Sequence, residues 1–193
     1  MRLFISLELE QLLKDELLGV QGRLKHFADD LKFASASQFH LTLNFLGETD
    51  ASLLEQIQAR MKQAASRCSP FEISISGCGC FPPGRAPRVL WAGIAEPTGT
   101  LLKLQQELET SLRELGFKTE ERAYSPHLTL ARVREGRSPH ALREATEKLR
   151  PVPLSQKVET VHLVQSILKP TGAEYSTVFH SVLGSGSDAL PAP

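Results

Sequence analysis

Apolar positions along the chain switch repeatedly between a strand-like and a helix-like period. Residues 3–9 form a nearly continuous apolar run, which predicts a buried strand. Leu12, Leu13, Leu17, Val20, Leu24 and Phe27 then recur close to the i, i+3, i+4, i+7 template, predicting an amphipathic helix. Phe39 to Leu46 alternates as a strand and stops at Gly47. Asp50 is a suitable N-cap for a second helix with Leu53, Leu54, Ile57, Met61 and Ala64 on one side. A strand from Phe71 to Ile75 follows. Gly77 to Pro87 is rich in glycine and proline and is predicted to be a loop, because proline supplies no N–H to a ladder.

The second half repeats the alternation. Arg88 to Ile94 is strand-like, and Leu101, Leu104, Leu108, Leu112 and Leu115 mark a helix that Gly116 can end. A strand from His127 to Val133 precedes a fourth helix, begun by Ser138-Pro139 and running through Leu149. Val158 to Val164 and Glu174 to Leu183 read as two last strands. Residues 1–183 are expected to form one domain and residues 184–193 a flexible tail. Strand, helix, strand bearing His-Leu-Thr-Leu, then helix occurs twice, the second time from near Arg88, as expected of two similar lobes facing each other. No Gly-rich strand-to-helix turn of the nucleotide-binding α/β type is present, so the pattern favours an α+β fold with mainly antiparallel sheets.

Composition and charge narrow the class of protein. The chain's 22 basic and 22 acidic residues cancel, which excludes a strongly cationic coat for nucleic acid while leaving room for a local basic patch. A hydrophobic fraction of 41% suffices for a core without staples. Three cysteines, Cys68, Cys78 and Cys80, are too few and too irregular for a disulfide framework, and Cys78-Gly-Cys80 is one residue short of C-x-x-C. No apolar run is long enough for a membrane span or a signal peptide. The expectation is a cytoplasmic protein, monomeric, with no membrane association and no obligate protein partner.

The chemistry is concentrated in His40-Leu41-Thr42-Leu43 and His127-Leu128-Thr129-Leu130. On a strand, residues i and i+2 share a face, so each motif presents an imidazole and a hydroxyl on one side and two leucines on the other, with Phe45 expected to join Leu41 and Leu43 on the core face. In-line cleavage of a phosphodiester needs one proton removed from the nucleophile and another given to the leaving oxygen, on opposite sides of phosphorus. Imidazole serves either role near neutral pH, and the threonine hydroxyls can donate to non-bridging oxygens. Two such pairs on opposite walls of a cleft would supply the whole reaction. No group of histidine, cysteine and carboxylate has metal-ligand spacing, so no metal and no cofactor are expected.

The segments around both motifs resemble the 2H phosphoesterase superfamily, and in particular its bacterial RNA 2′,3′-cyclic phosphodiesterases, historically called 2′-5′ RNA ligases. The likeness is carried by Phe39-His40-Leu41-Thr42-Leu43-Asn44-Phe45-Leu46-Gly47-Glu48 and by Arg122-Ala123-Tyr124-Ser125-Pro126-His127-Leu128-Thr129-Leu130-Ala131-Arg132. Residues 87–93, Gln165-Ser166 and Tyr175 match accessory stretches, and the resemblance runs to about Leu183. It implies a bilobal fold, two antiparallel sheets flanking a central cleft with helices packed outside. It also implies hydrolysis of the 2′,3′-cyclic phosphate of RNA ends or small nucleotides to a 2′-phosphomonoester, with reversible 2′-5′ ligation as a side activity. By the family pattern His40 is the general acid at O3′ and His127 the base, although two identical motifs do not themselves assign the roles. The competing readings are a non-catalytic binder of nucleotides or RNA ends and a phosphodiesterase for another small cyclic or 2′-5′ nucleotide.

Arg122 and Tyr124 precede the second motif and are the expected substrate-binding pair, for phosphate and base; core packing is the alternative for Tyr124. Arg132 has the opposite strand parity from His127 and is expected to point away from the cleft unless a bulge intervenes. Arg85 and Arg88 bracket Pro87 and could form a basic lip, and Phe39 and Phe81 could stack on a base or pack in the core. His26, His140, His162 and His180 have no partner at matching spacing, and His26 and His140 are expected to be solvent-exposed.

Overall fold

The computed structural model describes residues 1–83, 86–118, 122–137, 141–169 and 172–184. Its strands form two antiparallel sheets. The first has the order β3-β1-β8-β9, from His40–Glu48, Arg2–Glu8, Thr160–Lys169 and Gly172–Val182. The second has the order β2-β6-β5-β4-β7, from Leu31–Phe33, His127–Val133, Val89–Ala95, Phe71–Phe81 and Ser155–Val158. The four helices are α1 (Gln11–Gly22), α2 (Leu54–Ser66), α3 (Thr100–Arg113) and α4 (Leu142–Glu147). The fold is thus α+β with two antiparallel sheets, in agreement with the sequence.

Both copies of the repeat place the motif strand beside the strand that opens its unit. β1 pairs with β3, setting Glu8 opposite His40 and Ser6 opposite Thr42; β5 pairs with β6, setting Gly93 opposite His127 and Trp91 opposite Thr129. The helices do not stay with their own sheets. α1 follows β1 of the first sheet yet packs on β6 of the second, while α3 leaves β5 of the second sheet and packs on β3 of the first. α2 lies under β8 and β9 beside α3, and α4 under β4. The apolar faces therefore merge into one core that includes Ile5, Leu41, Leu104 and Leu108 from one side and Leu17, Leu90, Leu128 and Leu130 from the other.

Local chemistry explains two of the helix boundaries. The Asp50 carboxylate accepts the Ser52 N–H at 2.8 Å, capping the 3₁₀ turn Ala51–Leu53 that leads into α2. Gly116 has a φ of +89° just after α3, and the Phe117 N–H returns to the Leu112 carbonyl, so the glycine ends the helix in the left-handed region as expected. The first long helix is shorter than its apolar pattern: α1 ends at Gly22, and Lys25–Phe27 is a separate 3₁₀ turn.

Three further differences are informative. The predicted loop at Gly77 is instead the second half of β4, which pairs with β5 as far as Phe81 opposite Val89; the ladder stops only where Pro82 would have to donate. Gly79 is in the ladder opposite Trp91, whose ring occupies the space a side chain would take there. Strands β2 and β7 are too short for any period to show. Of the fourth helix, Leu142–Glu147 is seen, and the proposed start at Ser138-Pro139, with His140, lies outside the described residues, as do Arg85 and positions 185–193. Cys68, Cys78 and Cys80 are free thiols, and burial pushes Cys68 and Cys78 up to about 11.

A Cβ on Gly79 would stand 2.4 Å from the Trp91 ring. Gly79→Ala is therefore expected to lower stability by about 1–3 kcal/mol, the usual cost of overpacking. Because the protein has one tryptophan, its fluorescence should shift in the folded state as well, and denaturant titration followed by that signal checks both effects.

Candidate active site

His40 and Thr42 lie on one face of β3 and the buried Leu41 and Leu43 on the other, in the core; Phe45, expected with the leucines, is instead exposed, because a register shift between Thr42 and Asn44 breaks the alternation and sets it opposite Phe4. His127 and Thr129 are presented in the same way on β6, with Leu128 and Leu130 fully buried. The two motif strands touch, and the Tyr124 hydroxyl donates to the Thr42 carbonyl at 2.9 Å, joining the run before one motif to the backbone of the other.

Each histidine is anchored on the backbone two residues before it. His127 Nδ1 is 2.7 Å from the Ser125 carbonyl oxygen. A carbonyl only accepts, so Nδ1 carries the proton and Nε2 is left to face the cleft. His40 has a backbone hydrogen bond at Gln38 in the equivalent position. The surroundings of the two rings differ. His40 is stacked on Phe4 at 4.6 Å between centroids, with Tyr175 edge-on at 5.2 Å. Burial in this aromatic cage lowers its pKa to about 4, against the smaller opposing effect of the Gln38 bond. His127 meets Phe81 edge-on at 5.0 Å, and Phe81 in turn leans on Trp91. Neither threonine hydroxyl has a protein hydrogen-bond partner among the described residues.

The substrate-binding pair read from the sequence divides. Tyr124 is largely buried, burial pushes its phenol far above the ordinary range, and its hydroxyl is committed to Thr42. The packing alternative fits it better than base stacking. Arg122 is exposed in the extended approach to β6, without a hydrogen bond or ion pair to described residues. Phe39 is a core residue at 3% exposure, whereas Phe81 lies against His127.

A bulge in β6 turns Arg132 to the face of Thr129, against simple strand parity. On β6, Thr129 is opposite Trp91 but Ala131 is opposite Leu90, so two residues answer one. Leu130 and Ala131 are both fully buried, and alternation resumes with Arg132 on the face of Thr129. The Leu130 carbonyl at the bulge accepts from the Gln21 side chain of α1 at 2.7 Å and from the Ala34 N–H at 2.9 Å. Arg132 then acts from the second sheet on the Tyr175 hydroxyl of the first: burial raises the Tyr175 pKa, and the charges of Arg132 and Arg2 oppose the rise. The faces bearing the two motifs therefore look at each other. His162 and His180, which have no partner at matching spacing in the sequence, are opposite each other on β8 and β9, with Glu8 Oε1 3.6 Å from His162 Nδ1.

A family model described as the 2′-5′ RNA ligase superfamily matches residues 15–169. A Methanothermobacter thermautotrophicus protein named RNA 2′,3′-cyclic phosphodiesterase is 35% identical over 176 residues, covering 91% of this chain and 95% of that one. A Thermotoga maritima protein of the same name is 29% identical, covering 96% and 97%. Among solved structures, a Thermus thermophilus protein superposes with a TM-score of 0.82 at 30% identity, covering 95% of this chain and 98% of that one. Escherichia coli LigT complexed with 3′-AMP shares the fold at 0.77 and 24% identity, covering 94% and 97%.

The buried imidazole makes a prediction about acid stability. In the unfolded chain His40 takes up a proton near pH 6.5, but in the fold it does so only near 4. Between these values the unfolded state binds more protons, so stability falls as pH drops from 6.5 to 4 and is unaffected by this group outside that window. Comparison of wild type with His40→Gln by denaturant titration at pH 7 and pH 4.5 should show wild type losing on the order of 2 kcal/mol more than the variant.

Proposed function

Because the chain belongs to the 2′-5′ RNA ligase superfamily, we propose that it hydrolyses RNA 2′,3′-cyclic phosphate ends to 2′-phosphomonoesters by acid–base catalysis between His40 and His127. The observation that carries this reading is the matched pair of imidazole–hydroxyl motifs on facing strands, each ring backed by the main chain two residues earlier. The names of the relatives support the choice of substrate.

Hydrolysis joins a water oxygen to phosphorus and breaks the P–O3′ bond. The proton lost by water goes to one imidazole, and the proton needed by O3′ comes from the other. With Nδ1–H held by Ser125, His127 has Nε2 available to take a proton, as a base requires. His40 then gives the proton to O3′. It is neutral in the free protein, since burial holds it near 4, and a phosphate anion beside it favours the protonated ring. Substrate binding and proton uptake are thereby linked. Thr42 and Thr129 donate to the non-bridging oxygens, and Arg132 adds a positive charge beside Tyr175. Tyr124 positions the motifs through Thr42, and Arg122 meets substrate outside the cleft floor. With an RNA 5′-hydroxyl in place of water, the same steps form a 2′-5′ linkage.

Turnover of 2′,3′-cyclic AMP and of a short RNA with a cyclic end, in EDTA, tests the proposal. A 2′-phosphate product is expected, with kcat reduced by about 10²-fold or more in His40→Ala and in His127→Ala. Tight binding of the ends without turnover would instead identify a binding module. Full activity in either variant would rule out the paired mechanism.

A further inference from the structure

The cleft carries its charge unevenly along β1. Alternate residues of this strand face the cleft, so Arg2, Phe4, Ser6 and Glu8 form a line from cation to anion, with Phe4 against the His40 ring. At the Glu8 end the carboxylate accepts from the Thr177 hydroxyl at 3.2 Å and lies beside His162, which burial biases toward its neutral form. A phosphate approaching that end meets an acidic group.

The opposite end is basic. Lys32 is directly opposite Arg132 in the β2–β6 ladder, and directly opposed residues point to the same side, so the bulge that brings Arg132 into the cleft brings Lys32 with it. Arg2 approaches the same mouth from the facing sheet, since Arg2 and Arg132 both act on the Tyr175 hydroxyl. All three cations are exposed, and none forms an ion pair among the described residues. Arg23, Arg60, Arg67 and Arg143, by contrast, are each matched with a glutamate. Glu48 stands opposite Arg2 across the β1–β3 ladder but makes no ion pair with it.

Arg132 and the two threonines are enough for one cyclic phosphate. Two more unpaired cations at the same mouth call for a second anion. The last nucleotide of an RNA carries only one other phosphate, the diester that joins its 5′ oxygen to the preceding residue. We propose that Arg2 and Lys32, on opposite walls of the cleft, form a subsite for this phosphodiester, so that the RNA chain leaves by the Arg2–Lys32 mouth and not past Glu8. The inference rests on the cyclic phosphate lying between His40 and His127.

Binding of 2′-AMP and of the dinucleotide ApA bearing a terminal 2′-phosphate, measured by calorimetry at low and high salt, tests the subsite. The dinucleotide is expected to bind about tenfold more tightly at low salt, and the difference should shrink as salt rises. Lys32→Ala and Arg2→Ala should each remove most of that advantage while changing 2′-AMP affinity by less than about twofold. Equal affinities for the two ligands in wild type, or variants that weaken both ligands alike, would overturn the subsite. Turnover of the two corresponding cyclic phosphates, run in parallel, separates this failure from failure of the catalytic reading. In the latter neither cyclic end is opened, although the dinucleotide still binds more tightly.

Discussion

The structure depends on burying two sheet faces with helices exchanged between them. A sheet with one apolar face is stable only when that face is covered. Here β1 feeds α1 to the second sheet, and β5 feeds α3 to the first. Neither repeat can complete its core alone, and the leucines behind both motifs, Leu41 and Leu128, belong to one buried cluster. Burying each leucine contributes roughly 2 kcal/mol. The same packing drives the polar side of each motif out of the core and toward the other sheet. The Gln21 side chain ties α1 to the Leu130 carbonyl, so the exchanged helix also supports the bulge that turns Arg132.

Within that frame two near-identical motifs acquire different properties. Anchoring on the preceding backbone is common to both histidines, and in His127 it leaves Nε2 for the cleft. The difference comes from what surrounds each ring. Phe4 and Tyr175 strip water from His40, and a desolvated imidazole resists protonation until an anion arrives. A symmetric sequence thus supports an asymmetric acid–base pair. The charge gradient along β1 adds a second asymmetry, with Arg2 at one end and Glu8 at the other.

Much of this was legible in the sequence because periodicity and motif repetition are local. The H-L-T-L parity placed His40, Thr42, His127 and Thr129 on the correct faces, and Gly116 and Asp50 marked element ends through their own backbone chemistry. What was not legible depended on partners. The bulge at Leu130 is visible only from the β5–β6 register, and without it Arg132 points the wrong way. Gly79 resembles a loop residue until Trp91 is seen to occupy the space a side chain would take there. The sequence leaves Tyr124 open between substrate and packing, because its hydrogen-bond partner, the Thr42 carbonyl, is far back in the chain. His162 and Glu8 come together only when β1, β8 and β9 are aligned.

The most direct test of the account is a crystal structure of the protein with a nucleoside 2′-monophosphate, the product of the proposed reaction. The phosphate is predicted to lie between the strands, within hydrogen-bonding distance of Nε2 of both His40 and His127 and of both threonine hydroxyls. A phosphate bound elsewhere, or reached by only one of the two imidazoles, would contradict the paired-motif mechanism.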